Sequence, residues 1–191
     1  MSSSFSRKAA AFVTAIAAMA VTAQSATAQA KASGGAFGVG YTDIGVVVGL
    51  GGVGSASASF GGRFEHGFKT LPDLGNGILG FQVAADYYSW SGGAGLGSYS
   101  WKYIPIGATI NYHFKLDEPK IDPFVGLGLG YNIVSCSGTG AFGTVDCGYS
   151  SGIYAIARAG ARYFFSPKMA VYGDVGAGGA TINLGVMFKL N

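Results

Sequence analysis

Side chains that could carry out acid–base or nucleophilic chemistry are sparse in this sequence of 191 residues, of which only 11% are charged. The two histidines, His66 and His113, lie far apart, and neither has both a serine and an acidic partner beside it, as a hydrolase or acyltransferase would need. Glycine occurs 34 times, but the glycines alternate with apolar residues and no helix follows them, so they do not indicate a phosphate-binding loop. We therefore expect no enzymatic activity, no cofactor and no metal.

The two cysteines, Cys136 and Cys147, could form a covalent link. In the oxidising environment of an exported protein, a pair at this separation predicts a disulfide bond. A metal site would need further ligands nearby, and the histidines are distant in sequence.

The first thirty residues have the layout of a secretory signal. Arg7 and Lys8 precede an apolar run at residues 9–21, which is too short to span a bilayer. Small residues follow, and Ala28 and Ala30 mark a cleavage site before Lys31. Residues 1–30 are thus predicted to be a signal peptide; cleavage after Ala28 and an uncleaved anchor helix are the alternatives.

The charge balance of the remaining chain excludes a nucleic-acid partner. Removal of residues 1–30 takes away Arg7 and Lys8, which leaves ten of the twelve basic residues against nine acidic ones. No basic run remains that could neutralise phosphates. Low charge with abundant glycine indicates instead a membrane protein that is not built from helices.

Segments of alternating apolar and small or polar residues, separated by turn chemistry, predict eight β-strands. Residues 44–62 form an uncharged stretch that a membrane helix could also use, but its seven glycines and its alternation favour two strands and a turn. Residues 42–43 interrupt the first pattern and could mark a bulge, and 91–99 and 135–149 are predicted loops. The predicted strands are 36–50, 54–68, 78–90, 100–114, 121–134, 150–165, 169–177 and 180–190.

One face of each strand is apolar and the other is small, polar or charged. Near the middle of the chain, Val125, Leu127 and Leu129 alternate with Gly126 and Gly128. A soluble sandwich would not ordinarily place so many glycines on its polar face, whereas a barrel in lipid turns the apolar face outward and relieves interior crowding with glycine. We therefore predict an all-β fold in residues 31–191: a single eight-stranded antiparallel transmembrane β-barrel, an up-and-down meander with both termini periplasmic.

The alternating strands, with segments such as residues 122–131 (DPFVGLGLGY) and 185–190 (GVMFKL), resemble the small outer-membrane β-barrel superfamily. That group includes the opacity-type surface proteins and the transmembrane domain of the OmpA family. The resemblance implies a bacterial outer-membrane location, contact with outer-membrane lipid, and periplasmic chaperones and the barrel assembly machinery as partners. The chain departs from the family pattern after Phe188, because an aromatic residue usually ends such chains.

Charged residues on the predicted inward face form a candidate salt-bridge network, since buried charges persist when they are paired. If residues 166–168 form a turn, Asp174 faces Gly160, one diagonal step from Arg158 and Arg162. The network indicates either a structural plug or a gated pore, and we favour the plug because eight strands leave an interior that side chains can fill. Its predicted members are Arg63, Glu65, Asp86, Arg158, Arg162, Asp174 and Lys189.

Four aromatic residues, Tyr88, Trp90, Trp101 and Tyr103, fall on inward positions that flank residues 91–99. They could cap the barrel mouth or stack a sugar or lipid group, and capping is the favoured interpretation.

The sequence as a whole favours a non-enzymatic outer-membrane protein with a structural or surface-interaction role, whose surface ligand is unidentified. The alternatives are a narrow channel or transporter for ions or small apolar solutes, and a lipid-modifying enzyme that depends on His113.

Overall fold

A computed structural model describes residues 37–53, 56–94, 97–140, 143–144 and 150–191. The predicted signal peptide, with Ala28 and Ala30, and Cys147 lie outside these ranges. Within them, no helix is long and apolar enough to cross a membrane.

Eight long strands form one closed antiparallel sheet, as the alternation predicts. Consecutive long strands pair with each other, β9 pairs with β1, and the β4–β5 pairing completes the ring. A two-residue strand, β6, pairs only with the end of β5. The strands are β1 Thr42–Val53, β2 Ala56–Leu71, β3 Gly77–Ala94, β4 Gly97–His113, β5 Ile121–Gly140, β6 Gly143–Thr144, β7 Gly152–Ser166, β8 Met169–Ala177 and β9 Ile182–Lys189.

The connections differ at the two ends of the barrel. At one end, here called the turn end, lie the connections at 72–76, 114–120 and 167–168, together with residues 37–41 and 190–191. A short 3-10 helix, Pro72–Leu74, forms part of the first connection. The opposite end, here called the loop end, carries the connections that follow β1, β3, β5 and β8.

Two predicted loops are largely strand. β3 continues to Ala94 and β4 begins at Gly97, so the 91–99 prediction is wrong for most of its length. β5 likewise extends to Gly140, into the predicted 135–149 loop. These glycine- and serine-rich stretches hold strand geometry because β4 lies between β3 and β5 and supplies a ladder of partners to each.

The predicted bulge at residues 42–43 is also wrong. The pairing of β1 with β2 runs without a break from Thr42 to Leu50, and the register shifts only between Leu50 and Val53. An unbroken ladder keeps the alternation in phase, so Asp43 faces inward. The helix alternative for residues 44–62 is wrong as well, because β1 and β2 occupy that stretch.

The two faces of the barrel are inverted relative to a soluble protein. Leu127 and Ile153 on the outer face are 71% and 79% exposed, whereas Glu65 and Arg162 on the inner face are completely buried. Exposed apolar side chains surrounding a charged interior are favourable only where the solvent is hydrocarbon, and closure pairs the backbone groups that lipid cannot solvate. The fold is therefore a transmembrane β-barrel.

Inward glycines make room for long polar side chains on neighbouring strands. A methyl group on Gly80 of β3 would overlap Oε1 of Glu65 and lie 3.1 Å from Nε2 of His113. A methyl group on Gly126 of β5 would overlap the side-chain oxygen of Asn111. The alternating glycines thus leave the lumen to a small set of larger side chains.

Candidate functional site in the barrel lumen

Arg162 of β7 lies at the centre of the charged residues in the turn-end half of the lumen. Its Nε lies 3.2 Å from Oδ2 of Asp43 on β1, and its Nη1 donates to Oδ2 of Asp122 on β5 at 2.9 Å. Its Nη2 donates to Glu65 on β2. One guanidinium therefore contacts carboxylates from three other strands, and its hydrogen bonds to Asp122 and Glu65 are charge-assisted.

His113 of β4 connects two of the same carboxylates. Its Nε2 lies 2.8 Å from Oε1 of Glu65, and its Nδ1 lies 2.9 Å from Oδ1 of Asp122. Ionised carboxylate oxygens only accept hydrogen bonds, so both ring nitrogens must donate and His113 is an imidazolium. Gln82 and Asn111 also donate to Glu65, at 2.9 and 2.8 Å.

Two further ion pairs join neighbouring strands. Arg63 of β2 binds Asp86 of β3 through two hydrogen bonds of 2.9 and 3.1 Å. Arg158 of β7 donates from Nε to Asp174 of β8 at 2.9 Å. Asp174 also accepts hydrogen bonds from Tyr172 and, at 2.8 Å, from Asn183 of β9.

The residues that precede β1 fold back into the turn end. Phe37 is buried and stacks on His113, with ring centroids 3.7 Å apart, and the Arg162 guanidinium carbon lies 5.0 Å from the Phe37 centroid. The Tyr41 hydroxyl donates to Asp43 at 3.1 Å. Burial raises the pKa of Tyr41, and the Asp43 carboxylate raises it further, so the phenol stays protonated as this hydrogen bond requires.

Asn191 binds the same segment from outside the lumen. Its amide nitrogen donates to the Gly40 carbonyl at 2.8 Å, and its side-chain oxygen accepts from the Thr42 backbone at 2.9 Å. The backbone of Gly40 donates to Gly67 at 2.8 Å. The segment is thus held by β2 on one side and by Asn191 on the other.

The four predicted mouth aromatics lie together on the inner face near the loop end. Trp90 and Trp101 are stacked, with centroids 5.5 Å apart and an interplanar angle of 9°. Tyr88 and Tyr103 meet edge to face at 5.9 Å. Tyr88 is completely buried, and Trp90 and Tyr103 pack against it and its neighbours Ala56 and Ala180.

The barrel combines closed strand pairing, an apolar exterior and an ion-paired interior. The described residues have the architecture of a small transmembrane β-barrel.

Comparisons with known proteins find similarity in solved structures only. No protein-family model and no curated protein matches the sequence. A structure from the de novo design of transmembrane β-barrels is 17% identical, over 81% of this chain and 99% of that one, with a TM-score of 0.48. The N-terminal β-barrel domain of Pseudomonas aeruginosa OprF is 17% identical over 81% and 100%, with a TM-score of 0.46. Ail, the attachment invasion locus protein of Yersinia pestis, is 12% identical over 78% and 93%, with a TM-score of 0.45.

The barrel brings most of the predicted interior charges into ion pairs. Asp174 faces Gly160 in the register, but it pairs with Arg158, whereas Arg162 pairs with Asp43, Glu65 and Asp122. Lys189 lies near the turn end, with its ammonium 5.2 Å from the centroid of the Tyr41 ring.

Three interior residues were absent from the predicted network: Asp43, Asp122 and His113. Strand alternation could have found Asp122, because it has the same parity as Gly126. Asp43 was obscured by the expected bulge, and His113 was considered only as a catalytic base. Their addition changes the predicted charge balance of the interior. Among the described residues, five inward carboxylates face three arginines, Lys189 and the His113 imidazolium.

The geometry of His113 does not suit a catalytic base. Both ring nitrogens are engaged by carboxylates, and its side chain is only 2% exposed. A base must present a free nitrogen within hydrogen-bond distance of a substrate proton. His66 points outward and binds Oγ1 of Thr42 through Nδ1 at 2.8 Å, so the two histidines do not share a site.

Cys136 lies on β5, half-buried and opposite Trp101 of β4. Because Cys147 is outside the described residues, the Cys136–Cys147 disulfide stays a prediction.

Proposed function

We propose that this outer-membrane barrel has a closed lumen and a structural or surface-interaction role, without catalytic activity. The observation that carries the proposal is the ion pair between Arg162 and Glu65. In the closed ring β7 and β2 are four strands apart in either direction, so they lie opposite each other and the pair crosses the full width of the lumen.

The energetics favour a lumen that stays closed. An ion that passed this level would have to separate Arg162 from carboxylates on three strands, and an uncompensated charge in such a site costs several kcal/mol. Phe37 covers the same cluster from the turn end.

Several features that go with this function are part of the proposal. Export would use the signal peptide, with cleavage after Ala30 or Ala28. The turn end would face the periplasm with both termini, and the loop end, with Cys136, would face the exterior. During biogenesis the chain would pass through periplasmic chaperones and the barrel assembly machinery.

The loop end is the part of the barrel that an external ligand could reach. The stack of the half-buried Trp90 on the buried Trp101 is better suited to capping the lumen than to binding a sugar, because one face of each ring is already covered by the other. A surface ligand would therefore bind outside the lumen at the loop end.

Current measurements in planar bilayers would test the closed lumen. The mature chain, inserted and verified as folded by heat-modifiable gel migration, should give no discrete openings at either polarity. Reproducible single-channel steps would overturn the closed lumen and support the narrow channel or transporter. A lipid-modifying enzyme would instead show turnover of lipid A or phospholipid that is lost on His113→Gln.

A further inference from the structure

The outer wall of the barrel carries an apolar groove across β1, β2 and β3, with a volume of about 460 Å³. That volume lies in the range of pockets that bind small molecules. The groove exists because Gly62 and Ala85, which are paired in the β2–β3 register, leave a gap among the larger outward side chains that surround them. Its remaining walls include Ile44, Val46, Phe64 and Val83.

Gly62 faces open space. A methyl group added to it would meet only the Gly45 carbonyl oxygen, at 3.8 Å. Its neighbours on the outer face are exposed and apolar, with Val46 at 64% exposure. Whatever fills the groove therefore comes from the membrane and presents hydrocarbon to it.

Polar groups follow on the same face toward the turn end. One outward rung beyond Phe64 lie Thr42 and His66, which are hydrogen-bonded to each other. Beyond the exposed Phe68, at the irregularity of β2, lies Lys69, which is also exposed and pairs with the outward Leu79. The outer wall thus runs from an apolar groove past a hydroxyl, an imidazole and one aromatic ring to a cation, and an anionic amphiphile has the same overall order from tail to head.

The spacing matches a membrane lipid. The β3 partners of Gly62 and Lys69 are Ala85 and Leu79, six residues apart. At about 3.3 Å per residue they are separated by about 20 Å, and a tilt of about 40° reduces this to about 15 Å across the membrane. Half of a hydrocarbon core of about 30 Å is the same distance. A phosphate beside Lys69 would therefore place the end of its acyl chain at Gly62.

We infer that this groove binds one acyl chain of an anionic membrane phospholipid, whose phosphate contacts Lys69. The acyl chain is held by van der Waals packing against the groove, because hydrocarbon gains no hydrophobic free energy on moving from lipid tails to an apolar protein wall. The inference requires the membrane placement of the barrel but not a closed lumen.

Photo-crosslinking in a bilayer tests it. The mature chain is placed in nanodiscs of phosphatidylethanolamine and phosphatidylglycerol, with a phosphatidylglycerol that carries a diazirine near the end of one acyl chain. Labelling should concentrate on the peptides that contain Ile44, Gly62 and Ala85. Gly62→Leu should lower it about threefold or more, since the new side chain occupies the groove.

Gly173→Leu is the matched control. Gly173 is also an outward glycine, on β8, and a methyl group there meets nothing closer than Leu184, at 3.4 Å. The Gly173→Leu variant should leave labelling at β1–β3 unchanged. Ala85→Leu fills the same groove from β3 and should repeat the effect of Gly62→Leu, while Lys69→Glu should lower labelling and Lys69→Arg should preserve it.

Several results would overturn the inference. These are labelling spread evenly around the barrel, labelling unaffected by Gly62→Leu and Ala85→Leu, and labelling by a diazirine fatty acid but not by the phospholipid. Heat-modifiable migration and co-flotation with lipid establish insertion separately. A barrel that inserts while the groove stays unlabelled refutes the lipid site and leaves the proposed function standing.

Discussion

Arg162 on β7 and Glu65 on β2 form an ion pair although their strands lie on opposite walls of the barrel. Both side chains are completely buried. Glu65 also binds His113, Gln82 and Asn111, so one carboxylate ties together β2, β3, β4 and β7. The side chains that cross the lumen are therefore also those that connect its walls.

Removal of Arg162 should destabilise the barrel strongly. Arg162→Met leaves Asp43, Glu65 and Asp122 close together without their shared cation, and the loss of one partner from a buried ion pair typically costs about 3–5 kcal/mol. Urea unfolding followed by heat-modifiable migration would measure the free energy of unfolding. Lys102→Met, which removes an exposed cation from β4, should change it by less than about 0.5 kcal/mol. Equal losses in the two variants would contradict the central role of Arg162.

An added methyl group should be tolerated on the outer face of the barrel wall and should destabilise the barrel when it is added on the inner face. Gly80→Ala places a methyl group against Glu65 Oε1 and His113, whereas Gly62→Ala places one in open space. Overpacking of a filled interior costs about 1–3 kcal/mol, and a surface change costs less than about 0.5 kcal/mol. Unfolding midpoints of the two variants in the same detergent test this contrast. A midpoint for Gly80→Ala as high as that for Gly62→Ala would mean that the lumen has spare room.

The sequence alone predicts that Gly80 faces the lumen and Gly62 faces outward, because strand alternation places the two glycines on opposite faces. Alternation also predicts the eight strands and their closure. It does not predict which charges meet across the lumen, since pairing in the register describes neighbouring strands only. Between neighbouring strands the register still leaves a choice, because Asp174 faces Gly160 as predicted and pairs with Arg158 but not with Arg162. Contact between Arg162 and Glu65 depends on the curvature of the whole ring, which no local pattern encodes.

Removal of the crossing side chains should open a passage. Glu65→Ser combined with Arg162→Ser shortens both members of the pair that spans the lumen. Planar bilayers should then show discrete current steps that the unmodified chain lacks. Phe64→Ala, which shortens an exposed side chain on the outer wall, serves as the control and should stay silent. A folded but silent double variant would show that other side chains are sufficient to close the lumen.

The segment before β1 should loosen when Asn191 is changed. Asn191→Ala removes the hydrogen bonds to Gly40 and Thr42, while the stacking of Phe37 on His113 remains. Amide hydrogen exchange at Gly40, whose N–H binds the Gly67 carbonyl, should quicken about fivefold or more, which corresponds to about 1 kcal/mol for one lost hydrogen bond. Exchange in the middle of β5 should not change. Quickening at both places would indicate global destabilisation and would count against a local role for Asn191.

The disulfide prediction can be tested without knowledge of the loop geometry. In the oxidised chain neither Cys136 nor Cys147 should react with a maleimide under denaturing conditions, and both should react after reduction. Cys136→Ser should free the remaining thiol for labelling, and Cys147→Ser should do the same. Because backbone pairing joins the eight long strands into a closed ring, the reduced chain should keep its heat-modifiable migration. Labelling of the untreated chain would rule out the disulfide, and loss of the folded band on reduction would show that the loop end stabilises the whole barrel.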